Sequence, residues 1–94
     1  MPDPAPVRQT DEEYVAWVRN KQCLVCDRPG SDPAHLDTRG SGGSDYTCIP
    51  LCRIHHREQE DNSLRDFEDA YHINLYEEAL RLLRHYIDDR TIYR

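Results

Sequence analysis

The chain has 94 residues, of which 37% are hydrophobic and 32% are charged, and its net charge is −6. A polar chain of this length forms one small domain with a modest core, and such domains often need a metal ion or disulfides for stability. The residues before the four cysteines do not have the pattern of a signal peptide, and no apolar run in the sequence is long enough to cross a membrane. We therefore expect a cytoplasmic domain held together by a metal ion rather than a secreted or membrane protein.

The charge is spread unevenly along the chain. Residues 1–57 carry seven basic and eight acidic side chains, whereas residues 58–94 carry five basic and ten acidic ones. Nonspecific binding of nucleic acid depends on basic side chains that neutralise phosphates, and acidic side chains repel those phosphates. Any contact with DNA is therefore expected in the first part of the chain.

The chain begins with a predicted tail followed by a helix. Residues 1–9 contain three prolines and no apolar period, which predicts a disordered tail. Thr10 and Glu13 match a capping box, so a helix is expected from there to about residue 20. Its buried face is predicted to carry Tyr14, Trp17 and Val18.

Two short strands and three further helices are expected after this helix. The strands are predicted at residues 34–38 and 46–51, where Pro50 restricts the second strand to an edge or a strand end. A third segment is predicted to be helical from Cys52 to about residue 60. Cap signatures at Ser63 and Asn74 open two more helices. The last helix carries an apolar stripe of Leu75, Tyr76, Ala79, Leu80, Leu83, Tyr86 and Ile87, which is expected to form one buried face.

The spacing of cysteine and histidine predicts a structural zinc site. Zinc in such sites takes four ligands, usually thiolates and imidazoles, in a tetrahedron. Cys23 and Cys26 form a Cys-x2-Cys half, and Cys52 with His55 forms a Cys-x2-His half of the same span. A set in which Cys48 replaces His55 remains open, as does the possibility of unliganded buried thiols.

His56, Glu60 and His35 form a second group of candidate residues. Neighbouring helical residues point about 100° apart, so His56 cannot face the same ion as His55. It shares a helix face with Glu60, four residues later. An imidazole from a strand, such as His35, opposite this pair would complete a catalytic divalent-metal site. Taken singly, His35 is more typical of a hydrogen-bonded core histidine than of a base, and the pair of His56 and Glu60 is more typical of a surface interaction.

The motif order "CLVC…DPAHLDTRGSGGSDYTCIPLCRIHHREQE" resembles that of the HNH endonuclease family, and the resemblance covers about residues 10–76. It implies a small α+β protein with a ββα-metal core, stapled by a structural zinc and flanked by N- and C-terminal helices. Residues 10–94 would then form one nuclease-like domain, with the zinc knuckle and core at about 23–60 and the C-terminal helices at 63–90.

The resemblance also implies a function and a role for each site residue. The protein would be a metal-dependent DNA endonuclease, of a kind found in phages, that hydrolyses phosphodiester bonds. His35 would be the general base, and His56 with Glu60 would hold the catalytic Mg²⁺ or Mn²⁺, with Ni²⁺ as a further candidate. Asp45 would ligate this ion or orient the site. The residues expected to contact DNA are Arg39, Arg53 and Arg57.

Three positions depart from the pattern of that family. Ala34 precedes His35 where a metal ligand is common, Thr47 stands where the motif has asparagine, and Glu60 replaces a histidine. These departures favour an alternative in which the domain has lost catalysis and acts as a zinc-held module that binds DNA or protein. The chain is expected to be a monomer or, if the stripe of the last helix exceeds what the core can cover, a homodimer.

Overall fold

The computed structural model describes residues 10–36 and 44–92, with side chains described up to Asp89. In these ranges four helices surround one two-stranded antiparallel sheet, which confirms the expected small α+β class. The elements are α1 (Glu12–Arg19), β1 (Asp32–His35), β2 (Cys48–Leu51), α2 (Arg53–Asp61), α3 (Leu64–Tyr71) and α4 (Leu75–Ile92), with a 3₁₀ turn at Asp45–Thr47 before β2. The tail predicted at residues 1–9 and the candidate DNA contact Arg39 lie outside the described residues.

Helix α1 begins one residue later than the capping box predicted. Asp11, in an extended conformation, is the N-cap, and its carboxylate accepts a hydrogen bond from the Tyr14 N–H at 3.0 Å. The same carboxylate accepts a hydrogen bond of 2.7 Å from the Tyr46 hydroxyl, which ties the start of α1 to the 3₁₀ turn. This tertiary contact favours Asp11 over Thr10 as the cap, so the predicted capping box was wrong.

Strand β1 begins two residues earlier and ends three residues earlier than predicted. It pairs with β2 from Asp32 opposite Leu51 to His35 opposite Cys48. Because side chains alternate across a strand, Ala34 points into the core, whereas His35 lies on the opposite face. A metal ligand at position 34 would therefore point away from His35, which explains physically why alanine is suited to this position.

Two buried clusters form the core, and β2 contributes to both. The first packs the sheet against α3 and the start of α4, and its buried members are Cys23, Ala34, Ile49, Leu51, Cys52, Phe67, Leu75 and Ala79. The second is mainly aromatic and contains Tyr14, Val18, Cys48 and Tyr86, with Trp17 packed against it. The predicted inward face of α1 is therefore confirmed.

The predicted buried stripe of α4 is only partly correct. Leu75, Ala79 and Tyr86 are buried, whereas Leu80 and Ile87 remain 58% and 53% exposed. The sheet has only two strands of four residues each, so it cannot cover the whole face of an 18-residue helix. Within residues 10–36 and 44–92, no helix has both the length and the apolar character needed to cross a membrane.

The buried Tyr14 hydroxyl provides a stability prediction. It has no hydrogen-bond partner among the described residues, and burial raises the pKa of this phenol above its usual value. Tyr14→Phe should therefore raise the free energy of unfolding by about 1 kcal/mol, because it removes an unsatisfied buried group without changing the packing of the ring. Thermal and urea denaturation would measure the change.

Tyr71→Phe is the matched control for this prediction. The Tyr71 hydroxyl donates to both carboxylate oxygens of Glu58, at 2.7 and 2.8 Å, so its loss should lower stability. Destabilisation of similar size by both substitutions would contradict the assignment of Tyr14 as an unsatisfied group.

Candidate functional site

Three thiols and one imidazole converge between the loop after α1 and the start of α2. One potential ligand atom from each of Cys23, Cys26, Cys52 and His55 lies within 4.8 Å of the others, which is close enough to hold a metal ion. The Cys26 and Cys52 sulfurs are 3.8 Å apart, and the Cys23 sulfur is 3.6 Å from the His55 Nδ1. Ligands about 2.3 Å from a tetrahedral ion lie about 3.7 Å from one another, so the spacing is compatible with structural zinc.

Local backbone structure brings these four ligands together. The Cys23 N–H donates to the Arg28 carbonyl at 2.8 Å, and Asp27 adopts a left-handed conformation with φ of 61°. The resulting tight loop turns Cys23 and Cys26 toward the same point. Cys52 is the N-cap of α2, and its sulfur lies 3.2 Å from the His55 Nδ1. His55 follows in the first turn of the helix.

The thiols of this cluster differ in acidity. The backbone N–H of His55, followed by other hydrogen bonds, holds the pKa of Cys52 below its usual value. The pKa of Cys26 is raised despite a favourable hydrogen bond from Arg28, because burial and the neighbouring Cys23 and Cys52 oppose a further negative charge. Three thiols this close cannot all ionise readily without a cation, which is the electrostatic situation of a thiolate metal site.

Cys48 lies in a different environment from the other three cysteines. It is fully buried in the aromatic cluster with Tyr14 and Tyr86, and burial raises the pKa of its thiol to about 12. It is not part of the group of potential ligands. The structure therefore does not bring together the alternative ligand set in which Cys48 replaces His55.

His56 points to the other side of α2 and contacts two carboxylates. Its Nδ1 is 3.2 Å from an Asp32 oxygen, and its Nε2 is 3.1 Å from a Glu60 oxygen. Asp32 also accepts a hydrogen bond from the Arg53 Nε at 3.0 Å. The hydrogen bond from His56, and then the charge of Arg53, hold the pKa of Asp32 below its usual value.

His35 contacts the carboxylate of Asp45, which in turn accepts a hydrogen bond from the backbone of Asp11. The His35 Nε2 is 2.8 Å from one oxygen of Asp45, and the other oxygen accepts a hydrogen bond of 2.8 Å from the Asp11 N–H. Asp45 is buried. A carboxylate only accepts hydrogen bonds, so this contact places the proton of a neutral His35 on Nε2 and leaves a lone pair on Nδ1.

His35 and His56 line one open cavity of about 720 Å³. Its lining residues are Pro33, His35, His56, Gln59, Glu60, Asp61 and Asn62. No lysine or arginine belongs to this described lining, so the cavity has a negative potential at neutral pH. Arg53 is engaged with Asp32 at the rim, and Arg57 lies exposed on α2.

Sequence reasoning missed two residues of this arrangement. Asp32, which begins β1 and contacts His56, was not among the candidate residues, and Asp11 was passed over in favour of Thr10. The contact between Asp32 and His56 could not be predicted from local spacing, because the two residues are 24 positions apart in the chain. The only sequence signal for Asp32 was its position three residues before His35.

The donor set predicts which cysteines are needed for a metal ion. Cys26→Ser should lose bound zinc and strongly lower the melting temperature, because Cys26 is exposed and its replacement costs little packing while the cluster loses a ligand. Cys48→Ala should keep one zinc per chain and lose about 1 kcal/mol of stability through a small cavity. Inductively coupled plasma mass spectrometry and thermal denaturation with and without a chelator would measure both. Zinc loss in Cys48→Ala would place that residue in the ligand set.

Comparison with known proteins corrects the family expected from the resemblance. The family model that matches, over residues 1–88, is described as "Protein of unknown function (DUF968)". "Uncharacterized protein YdfU" from Escherichia coli (strain K12) is 39% identical over 69 residues, which cover 68% of this chain and 20% of that protein. The chain thus spans about one fifth of the length of this relative. No solved structure gives a significant match.

The assignment to the HNH endonuclease family was therefore wrong, since neither the matching family nor this relative carries that description. The match over residues 1–88 covers most of the chain. The chain belongs to the DUF968 family.

Proposed function

We propose that this protein is a metal-dependent nuclease that hydrolyses phosphodiester bonds in DNA. In this proposal β1, β2 and α2 form a ββα unit around a divalent cation, and Cys23, Cys26, Cys52 and His55 hold a structural zinc. The observation that carries it is that one cavity is lined by His35 from the sheet and by His56 with Glu60 from α2.

The contact between His56 and Glu60 supports a cation at this position. His56 donates its Nδ1 proton to Asp32, so the Nε2 of a neutral imidazole presents a lone pair to the Glu60 carboxylate only 3.1 Å away. Two such groups repel each other unless a proton or a cation lies between them. Neighbouring ligands about 2.1 Å from an octahedral ion lie about 3.0 Å apart, so the spacing suits Mg²⁺ or Mn²⁺.

His35 is suited to the role of general base. With Nε2 bonded to Asp45, its Nδ1 can accept a proton from the water that attacks the phosphorus. Asp45 would then stabilise the imidazolium that forms. Because one Asp45 oxygen is bonded to His35 and the other to the Asp11 N–H, we assign Asp45 a positioning role rather than that of a metal ligand. A divalent cation, when bound, stabilises the charge on the phosphate and on the departing 3′ oxygen.

The charge of the cavity adds a condition to this function. Glu60 and Asp61 line the cavity, and no basic residue in its described lining offsets them. A phosphodiester would therefore be repelled until a divalent cation has been bound. The cation would be required for the association of DNA as well as for the chemical step. Arg53 and Arg57 remain candidates for neighbouring phosphates outside the cavity.

Cleavage of supercoiled plasmid tests the proposed function. In the presence of Mg²⁺ or Mn²⁺ we expect the wild-type protein to nick the plasmid, and His35→Ala to lower the rate by about 10²-fold or more. His72→Ala is the matched control, since His72 is exposed at the end of α3 and lies outside this cavity. Gel electrophoresis over time would measure the rates.

If the plasmid stays equally intact with the wild type and with His35→Ala under Mg²⁺, Mn²⁺ and Ni²⁺, the proposed catalytic activity is overturned. Binding of DNA without any cleavage would instead support the zinc-held binding module that the sequence left as an alternative.

The proposed order of binding gives a separate prediction. Fluorescence anisotropy of a labelled DNA duplex should show tight binding with Ca²⁺ or Mn²⁺ and at least about tenfold weaker binding with a chelator that spares the zinc. Glu60→Gln should reduce the effect of the cation, because it removes one ligand and one negative charge, while the melting temperature stays unchanged since Glu60 is exposed. Binding that is insensitive to the divalent ion would contradict a cation-first order.

A further inference from the structure

A second pocket adjoins the proposed catalytic cavity on the side of α1. It has a volume of about 320 Å³. Its lining residues are Glu12, Val15, Ala16, Arg19, Pro33, His35 and Asp45. Pro33 and His35 line both spaces, so this α1 pocket and the catalytic cavity are neighbours that share β1 as a wall.

The α1 pocket is built on one face of α1. Positions 12, 15, 16 and 19 follow the helical spacing, whereas Tyr14 and Val18 point from the same helix into the core. A hydrogen bond of 3.1 Å from the Ser31 N–H to the Arg19 carbonyl holds the end of α1 beside β1. The position of this face relative to His35 is thus fixed by the fold.

The pocket differs in chemistry from the catalytic cavity. Val15, Ala16 and Pro33 give it an apolar floor, and Arg19 provides a guanidinium at one end. Within the described part of the chain, Arg19 makes no ion pair, whereas Arg53 and Arg81 each pair with a carboxylate. Glu12 on the same helix and Asp45 from the 3₁₀ turn provide negative charge.

We propose that the α1 pocket is a nucleotide subsite, which receives the sugar next to the scissile phosphate while Arg19 binds the following phosphate of the DNA strand. This inference rests on the proposed function. The shared residues Pro33 and His35 place the pocket beside the catalytic cavity, and its apolar side chains Val15, Ala16 and Pro33 suit the face of a sugar. The volume lies at the lower end of the range of small-ligand sites, which is adequate for one nucleotide unit.

Charge substitutions on the same helix face test the subsite. Arg19→Gln should weaken binding of a short labelled DNA duplex about tenfold in the presence of Ca²⁺, and should reduce the slope of log affinity against log salt by about one. Glu12→Gln should strengthen binding by about twofold to threefold, because it removes a charge that repels phosphate. Arg65→Gln, which removes an equivalent exposed charge on α3, should change neither quantity.

A small substrate separates the subsite from the catalytic centre. Bis(p-nitrophenyl) phosphate contains a phosphodiester but no flanking nucleotide, so Arg19→Gln should raise the KM for DNA by a larger factor than the KM for this compound. Melting temperatures of the variants would verify that each is folded.

The outcomes distinguish failure of the subsite from failure of the proposed function. Unchanged DNA affinity and salt slope in Arg19→Gln would overturn the subsite, even if wild-type protein cleaves DNA. If wild-type protein binds DNA with Ca²⁺ but hydrolyses neither substrate, the proposed function fails, and the binding series still decides the subsite. If wild-type protein does not bind DNA under any divalent ion, both are overturned.

Discussion

The convergence of three thiols and His55 is the contact on which the position of α2 depends. Helix α2 has no buried residue, so hydrophobic packing does not hold it. It is attached at its start by Cys52 and His55, and along its length by the contacts of Asp32 with Arg53 and His56 and of Tyr71 with Glu58. An ion shared by this cluster would replace the apolar contacts that so small and polar a chain cannot supply.

Each histidine of the proposed catalytic cavity is oriented by a carboxylate from another element. Asp32 at the start of β1 contacts His56, and Asp45 in the 3₁₀ turn contacts His35. Asp45 is bonded in turn to the backbone of Asp11, which caps α1. The capping interaction at the N-terminus of the described chain is therefore part of the same network as the proposed base. Outer contacts of this kind commonly fix the tautomer and direction of a functional imidazole.

The candidate metal cluster could be predicted from the sequence, because two half-motifs of equal span encode it locally. The different directions of the His55 and His56 side chains could also be predicted from helical geometry. Asp32 and Asp11 could not be predicted in this way, since their partners are 24 and 34 residues away and depend on the sheet register. The stripe of α4 was predicted from its own periodicity, but the extent of its burial depends on how little of the sheet remains to cover it. The family resemblance was the least reliable guide, and the comparisons replaced it.

The adjacency of His55 and His56 has a consequence for how this sequence can change. One residue inserted or deleted within the first turn of α2 would rotate everything after it by about 100°, turning each imidazole away from its present neighbours. Fold maintenance and the proposed chemistry would be lost in the same mutational event. Length variation in this protein should therefore be confined to its loops, and the first turn of α2 should keep a constant length.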